Sequence, residues 1–139
     1  MHKIRLIFVF FLILLNTGCD SGAEIVAGLG EWGSSQLALI VTQTGAIMEF
    51  GCATGTLDKP IKADKNGQFS VPGTYTPGSG VPPPEGYVPP VYPILVTGQI
   101  SGQTMTVTIT RADQQSEIGR FIVSKGTPAK LQKCPVRHV

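Results

Sequence analysis

Residues 104–110 read Thr-Met-Thr-Val-Thr-Ile-Thr, a strict polar/apolar alternation over seven positions. Successive side chains point to opposite faces only in an extended strand, so this run places Met105, Val107 and Ile109 on one face and four threonines on the other. No stretch after the first twenty residues holds a helical apolar period. The same alternation recurs in shorter pieces. Gln36–Thr42 places Leu37, Leu39 and Val41 together. Ala46–Ala53 reads as one strand with Met48, Phe50 and Cys52 inward and Glu49 outward. Phe69, Val71, Gly73 and Tyr75 alternate along another strand, and further strands are predicted at Ile94–Ile100, Gly119–Ser124 and Ala129–Cys134. Thr44-Gly45, Asp64-Lys65-Asn66-Gly67, Ser101-Gly102, Asp113–Ser116 and Lys125-Gly126 supply turn signals between them. Seven or eight short antiparallel strands at roughly 8–12-residue spacing fit a small all-β domain. Hairpin-short connections favour an up-and-down meander barrel, with a β-sandwich as the alternative.

Residues 72–93 interrupt the pattern with eight of the chain's eleven prolines. Proline lacks a ladder donor and is excluded from central strands, so this segment reads as an extended, irregular loop. Irregular connections of about 20 residues inside a compact domain are usually functional or disordered. Tyr75, Tyr87 and Tyr92 on so stiff a backbone are the candidate binding residues, suited to covering a barrel mouth or docking on another protein; the alternative, equally weighted, is an insertion with no role.

The chain opens with a secretory leader: His2, Lys3 and Arg5, an apolar run from Leu6 to Leu15, then Asn16-Thr17-Gly18-Cys19. The apolar run is shorter than the about 20 residues that span a bilayer. Gly18-Cys19 behind Leu15 resembles the lipobox of bacterial lipoproteins, with Asn16 where that family prefers Leu. The resemblance implies cleavage of residues 1–18, lipid on Cys19, a tether over 19–29, and a single domain over 30–139 held on a membrane. An Asp after the lipidated cysteine, here Asp20, resembles an inner-membrane retention signal of some Gram-negative bacteria. The alternative is an ordinary secretory signal cut after Ser21-Gly22-Ala23, which yields a secreted soluble protein. Either way the domain faces the periplasm or the exterior. Losing Lys3 and Arg5 leaves nine basic against nine acidic residues. A neutral chain without Lys/Arg clusters has no electrostatic footprint for nucleic acid.

With Cys19 carrying lipid, Cys52 and Cys134 remain. In an oxidising compartment an even pair most simply forms one disulfide; two separate buried thiols are the alternative.

Residues for catalysis are sparse. The histidines are His2, inside the leader, and His138, next to the C-terminus, so no Ser-His-Asp or Cys-His arrangement can be assembled. Zinc sites draw on His, Cys and carboxylate ligands; with the histidines at the chain ends and the cysteines taken by lipid and a disulfide, the candidates are too few, and no metal or cofactor is expected. Asp58, Asp64, Asp113 and Glu117 fall in or beside turns, where Asp is ordinarily structural. Asp64-Lys65-Asn66-Gly67 has the start of a calcium loop without its terminal glutamate. The threonines at 104, 106, 108 and 110 make one outward row, similar to ice-binding surfaces but matching any solvated strand face.

Gly30-Glu31-Trp32-Gly33 resembles the opening of lipocalin-type barrels, in which a Trp plugs one end. With Glu49-Phe50-Gly51-Cys52-Ala53-Thr54-Gly55, Gly67-Gln68-Phe69, Gly73-Thr74-Tyr75, Met105-Thr106-Val107-Thr108 and Lys133-Cys134, it is similar to a set of small bacterial exported proteins of uncharacterised function. In that set the Cys-Ala pair is commonly followed by His-Gly and often preceded by Asp; Thr54 and Gly51 stand at those places here. The resemblance implies a fold and no activity. The expectation is a non-enzymatic, membrane-tethered barrel that binds a small apolar ligand or an envelope protein. The alternative is a structural or inhibitor-like envelope protein acting through the Pro/Tyr loop without an internal pocket.

Overall fold

The computed structural model describes residues 26–79 and 81–134. The leader, Cys19, Asp20 and His138 lie outside the described residues. Eight strands follow one another: β1 (Gly30–Gly33), β2 (Leu37–Val41), β3 (Ala46–Phe50), β4 (Ala53–Leu57), β5 (Gln68–Pro77), β6 (Tyr92–Ser101), β7 (Thr104–Arg111) and β8 (Ser116–Lys125). Each pairs antiparallel with its sequence neighbours, and β8 returns to β1 through Trp32↔Lys125 and Gly33↔Ser124, closing the expected meander barrel.

Alternation sends one apolar set inward. Leu37, Met48, Met105, Val107, Ile109 and Val123 are fully buried, with Leu39, Val71, Ile94 and Val96 nearly so. No polar or charged residue is buried among those described. Where an inward position is glycine, its cross-strand neighbour fills the space. Met48 opposes Gly55 and Phe69 opposes Gly98. A Cβ on Gly55 would lie 2.8 Å from Met48 Cε, and one on Gly98 would lie 2.6 Å from Phe69 Cζ. Large-against-small pairing thus brings the interior to close packing. The outward positions of β4, β5 and β7 are dominated by hydroxyls, including a Thr56–Thr74 hydrogen bond of 2.8 Å.

Four expectations need correction. The stretch read as one strand from Ala46 to Ala53 is two, β3 and β4, joined by the tight turn Gly51-Cys52; the register Glu49↔Thr54 sets that hairpin. Gly30–Gly33, read only as the start of the domain, is strand β1. Ala129–Cys134 is not a strand: residues 127–134 form an irregular strap. Finally, residues 72–93 are not all loop. Pro72 and Pro77 belong to β5, Pro93 belongs to β6, and the irregular part among the described residues shrinks to 78–79 and 81–91. The ladders explain how. The β4–β5 register begins at Gly73, one residue after Pro72; the β5–β6 register ends at Tyr75, before Pro77; the β6–β7 register starts at Ile94, one residue after Pro93. Each proline is paired on one side only, so its missing N–H costs no ladder bond in the manner of an edge strand.

The two barrel ends differ. At one end, inside the stretch read as tether, Val26 bridges Lys62, Ala27 N–H donates to Ile61 O at 2.8 Å, and Trp32 Nε1–H donates to Gly28 O at 2.7 Å. Ile61 and Trp32 are buried there, closing that end. The other end carries the β1–β2 and β3–β4 turns, the loop 78–91 and the strap.

Candidate functional site

The barrel interior is lined by tightly buried apolar side chains. Met48, Met105, Val107 and Ile109 are all 0% exposed and fill it. At the open end the half-buried Phe50 forms a floor, its ring 5.6 Å from that of Tyr75 and 5.5 Å from that of Phe121. Beside the β3–β4 turn at this end lies a cavity of about 850 Å³, reached by Phe50 from within and by Glu49, Thr54 and Thr76 from the outer face of β3 to β5. Four pieces of chain wall it: the β3–β4 turn from Glu49 to Thr54, the end of β5 from Thr76 to Ser79, loop residues Val81, Pro83, Tyr87, Pro89 and Pro90, and strap residues Leu131, Lys133 and Cys134.

Local chemistry holds these walls. Period-2 alternation aims Phe50 inward at the last position of β3, where an inward side chain meets the mouth instead of the core. Cys52 and Cys134 form a disulfide with a Cα–Cα distance of 5.1 Å, inside the usual range, tying the strap to the β3–β4 turn. Gly51 has no side chain because the carbonyl of Gln132 passes where a Cβ would stand. Gly78 N–H donates to Cys52 O at 2.5 Å, fixing the base of the loop to the same turn. Within the loop, Tyr87 N–H donates to Pro84 O at 3.0 Å and Ser79 Oγ–H to Val81 O at 3.2 Å.

The three tyrosines are not brought together. Tyr87 lines the cavity and is 55% exposed. Tyr75 sits on β5 with its ring against Phe50. Tyr92, its cross-strand partner, lies under the Arg111 guanidinium at 3.8 Å. Sequence reasoning missed Phe50, Leu131 and Lys133 as site residues. Only the first had a signal, its inward parity at the end of a strand.

No group of three or more His, Cys, Asp or Glu able to hold a metal exists among the described residues. Arg111 and Asp113 form an ion pair, bonded at 3.0 and 2.6 Å. The hydrogen bond from Arg111 lowers the Asp113 carboxyl below its ordinary range, and the same bond raises Arg111. Both are committed to each other, in the turn region between β7 and β8. Asp64 serves its turn: Oδ1 accepts from Asn66 and Gln68 N–H at 2.8 and 2.9 Å. In the outward Thr row, Thr108 accepts from Arg120 Nε at 3.3 Å, and Thr106 is flanked across the ladders by Gln99 and Ile122. The row is interrupted sideways.

Compared with protein-family models, curated proteins and solved structures, the chain has no match.

Proposed function

We propose that this chain is an exported, membrane-tethered binding module that takes a small apolar ligand at the loop-roofed mouth of its barrel and performs no catalysis. The observation that carries the reading is the cavity itself: about 850 Å³, walled by Pro, Val, Tyr, Phe and Leu side chains over a packed barrel. Ligand sites are typically clefts of roughly 300–1,000 Å³, mostly apolar, with a few polar groups to orient the ligand. Glu49, Thr54, Thr76 and Lys133 supply those groups here. Export and the tether rest on the leader and on its likeness to a lipobox; the disulfide is in keeping with an oxidising compartment.

A second reading has its own support. Val81, Tyr87, Val88 and Val91 leave 52%, 55%, 83% and 58% of their surfaces exposed on the loop, which suits docking to an envelope protein.

The neutral fluorophore 1-aminoanthracene separates the two. The mouth reading expects one saturable site, weakened by about tenfold or more (1.4 kcal/mol per decade) in Tyr87→Ser and in Leu131→Ser. Both residues lie outside the barrel core, so their variants should keep the far-UV circular dichroism of the parent. Binding indifferent to both substitutions, or no binding, would sink the mouth site. Recovery of an envelope protein that is lost on deleting residues 81–90 would then favour the loop. The tether has a separate check, the intact mass of the mature protein: diacylglycerol on Cys19 is expected, and a mature chain starting after Ala23 would overturn it.

A further inference from the structure

We propose that the Cys52–Cys134 disulfide is a redox-operated latch on the mouth cavity, an inference that rests on the mouth being the ligand site. The barrel closes before the strap begins. Its seam is complete at Trp32↔Lys125 and Gly33↔Ser124, followed by Gly126 N–H to Glu31 O at 2.7 Å. Beyond that seam, a single backbone hydrogen bond among the described residues ties residues 128–134 to the barrel, Lys130 N–H to Ser34 O at 3.2 Å. No strap residue is buried. The strap fits closely, since a side chain on Gly33 or Gly51 would meet the carbonyls of Thr127 or Gln132. Ala129, Leu131 and Cys134 are only partly covered, and so little buried area does not hold a segment against its own entropy. The disulfide does, and it stands in the cavity wall with Cys52 exposed.

The reaction is thiol–disulfide exchange with a dithiol reductant. A thiolate of the dithiol attacks one sulfur of the bridge, forming a mixed disulfide and releasing the other cysteine as thiolate. The second thiol of the reductant then displaces the remaining protein sulfur. The dithiol becomes a disulfide, its two electrons reduce the bridge, and its two protons end on Cys52 and Cys134. The barrel keeps all eight strands. The cavity loses the wall made by Leu131, Lys133 and Cys134, and with it the preorganisation that favours a bound ligand. The oxidised protein holds its ligand and the reduced protein releases it.

The test titrates 1-aminoanthracene into the purified full-length protein, oxidised and after treatment with dithiothreitol, with circular dichroism recorded on both. Reduction should weaken binding by about tenfold or more, and reoxidation should restore it. The paired variant Cys52→Ser/Cys134→Ser should bind as weakly as the reduced protein whether or not reductant is added. Trypsin should cut after Lys130 faster on reduction, while cleavage after Arg111 and Arg120 stays slow. Equal affinity in both forms overturns the latch and leaves the mouth site standing. Loss of the barrel signal on reduction also overturns it. Absence of binding in either form removes the site, and the latch with it.

Discussion

Trp32→Ala should lower the free energy of unfolding by about 3–5 kcal/mol, the range for emptying a large buried aromatic site. The ring is 2% exposed and sits at the closed end of the barrel. Its Nε1–H is held by Gly28 O at 2.7 Å, so the side chain also binds the segment that precedes β1. Truncation therefore opens a cavity and unties that segment at once. Gly28 is positioned for this contact by a φ of +70°, with Met105 Cε 3.0 Å from where a Cβ would stand. The plug and the core are thus in direct contact. Trp32→Phe should cost less, since it keeps most of the apolar volume and gives up one hydrogen bond, worth roughly 1 kcal/mol. Urea unfolding followed by far-UV circular dichroism measures both, because Trp32 is the chain's one tryptophan and its fluorescence is lost with it. Amide exchange of Ala27, bonded to Ile61 O, should quicken in the Ala variant. A loss below about 1 kcal/mol would mean that the end collapses to fill the gap, and that the ring is not what closes it.

The parts of this fold that were legible in the sequence are those governed by a local rule. Residues 104–110 could be read because a two-residue period has one structural meaning, and the pattern leads straight to Met105, Val107 and Ile109 in the core. Strand β4 was hidden for the opposite reason. Ala53-Thr54-Gly55-Thr56-Leu57 places a glycine at an inward position, and what makes that glycine fit is Met48 from the neighbouring strand. Pairing of a large with a small residue across strands has no trace along the chain. The turn at Gly51-Cys52 is likewise set by the strap's carbonyl crossing Gly51 and by a disulfide to a residue 82 positions away. Prolines 72, 77 and 93 mislead because the rule against proline in strands assumes ladders on both sides, and ladder ends are set by the partner strands. The mouth cavity was the least legible feature. It joins segments near 50, 77, 87 and 132, and only the loop had been marked as a candidate.

The paired variant Cys52→Ser/Cys134→Ser should be destabilised by about 2–3 kcal/mol, below the roughly 4.5 kcal/mol that the chain-entropy relation gives for a loop of this length. The bridge closes a separation of 82 residues, so the unfolded chain gains much freedom when it is removed. The folded chain gains freedom too. Among the described residues, 128–134 have one backbone hydrogen bond to the barrel, Lys130 to Ser34, and no fully buried side chain, so in the variant the strap loosens while the barrel stays folded. Entropy recovered in the native state offsets part of that gained in the unfolded state, and the difference between the two is what denaturation reads. The urea dependence should steepen, since an unfolded chain without the cross-link exposes more surface. Exchange should quicken at the amides of the strap and leave those of β5 to β8 slow. A destabilisation above about 5 kcal/mol, or rapid exchange through β3 and β4, would mean that the strap is part of the barrel's support. That result would also contradict a latch that opens without unfolding. Values in the expected range assign the disulfide to the mouth, where the cavity lies, and leave the closure of the barrel to its eight strands.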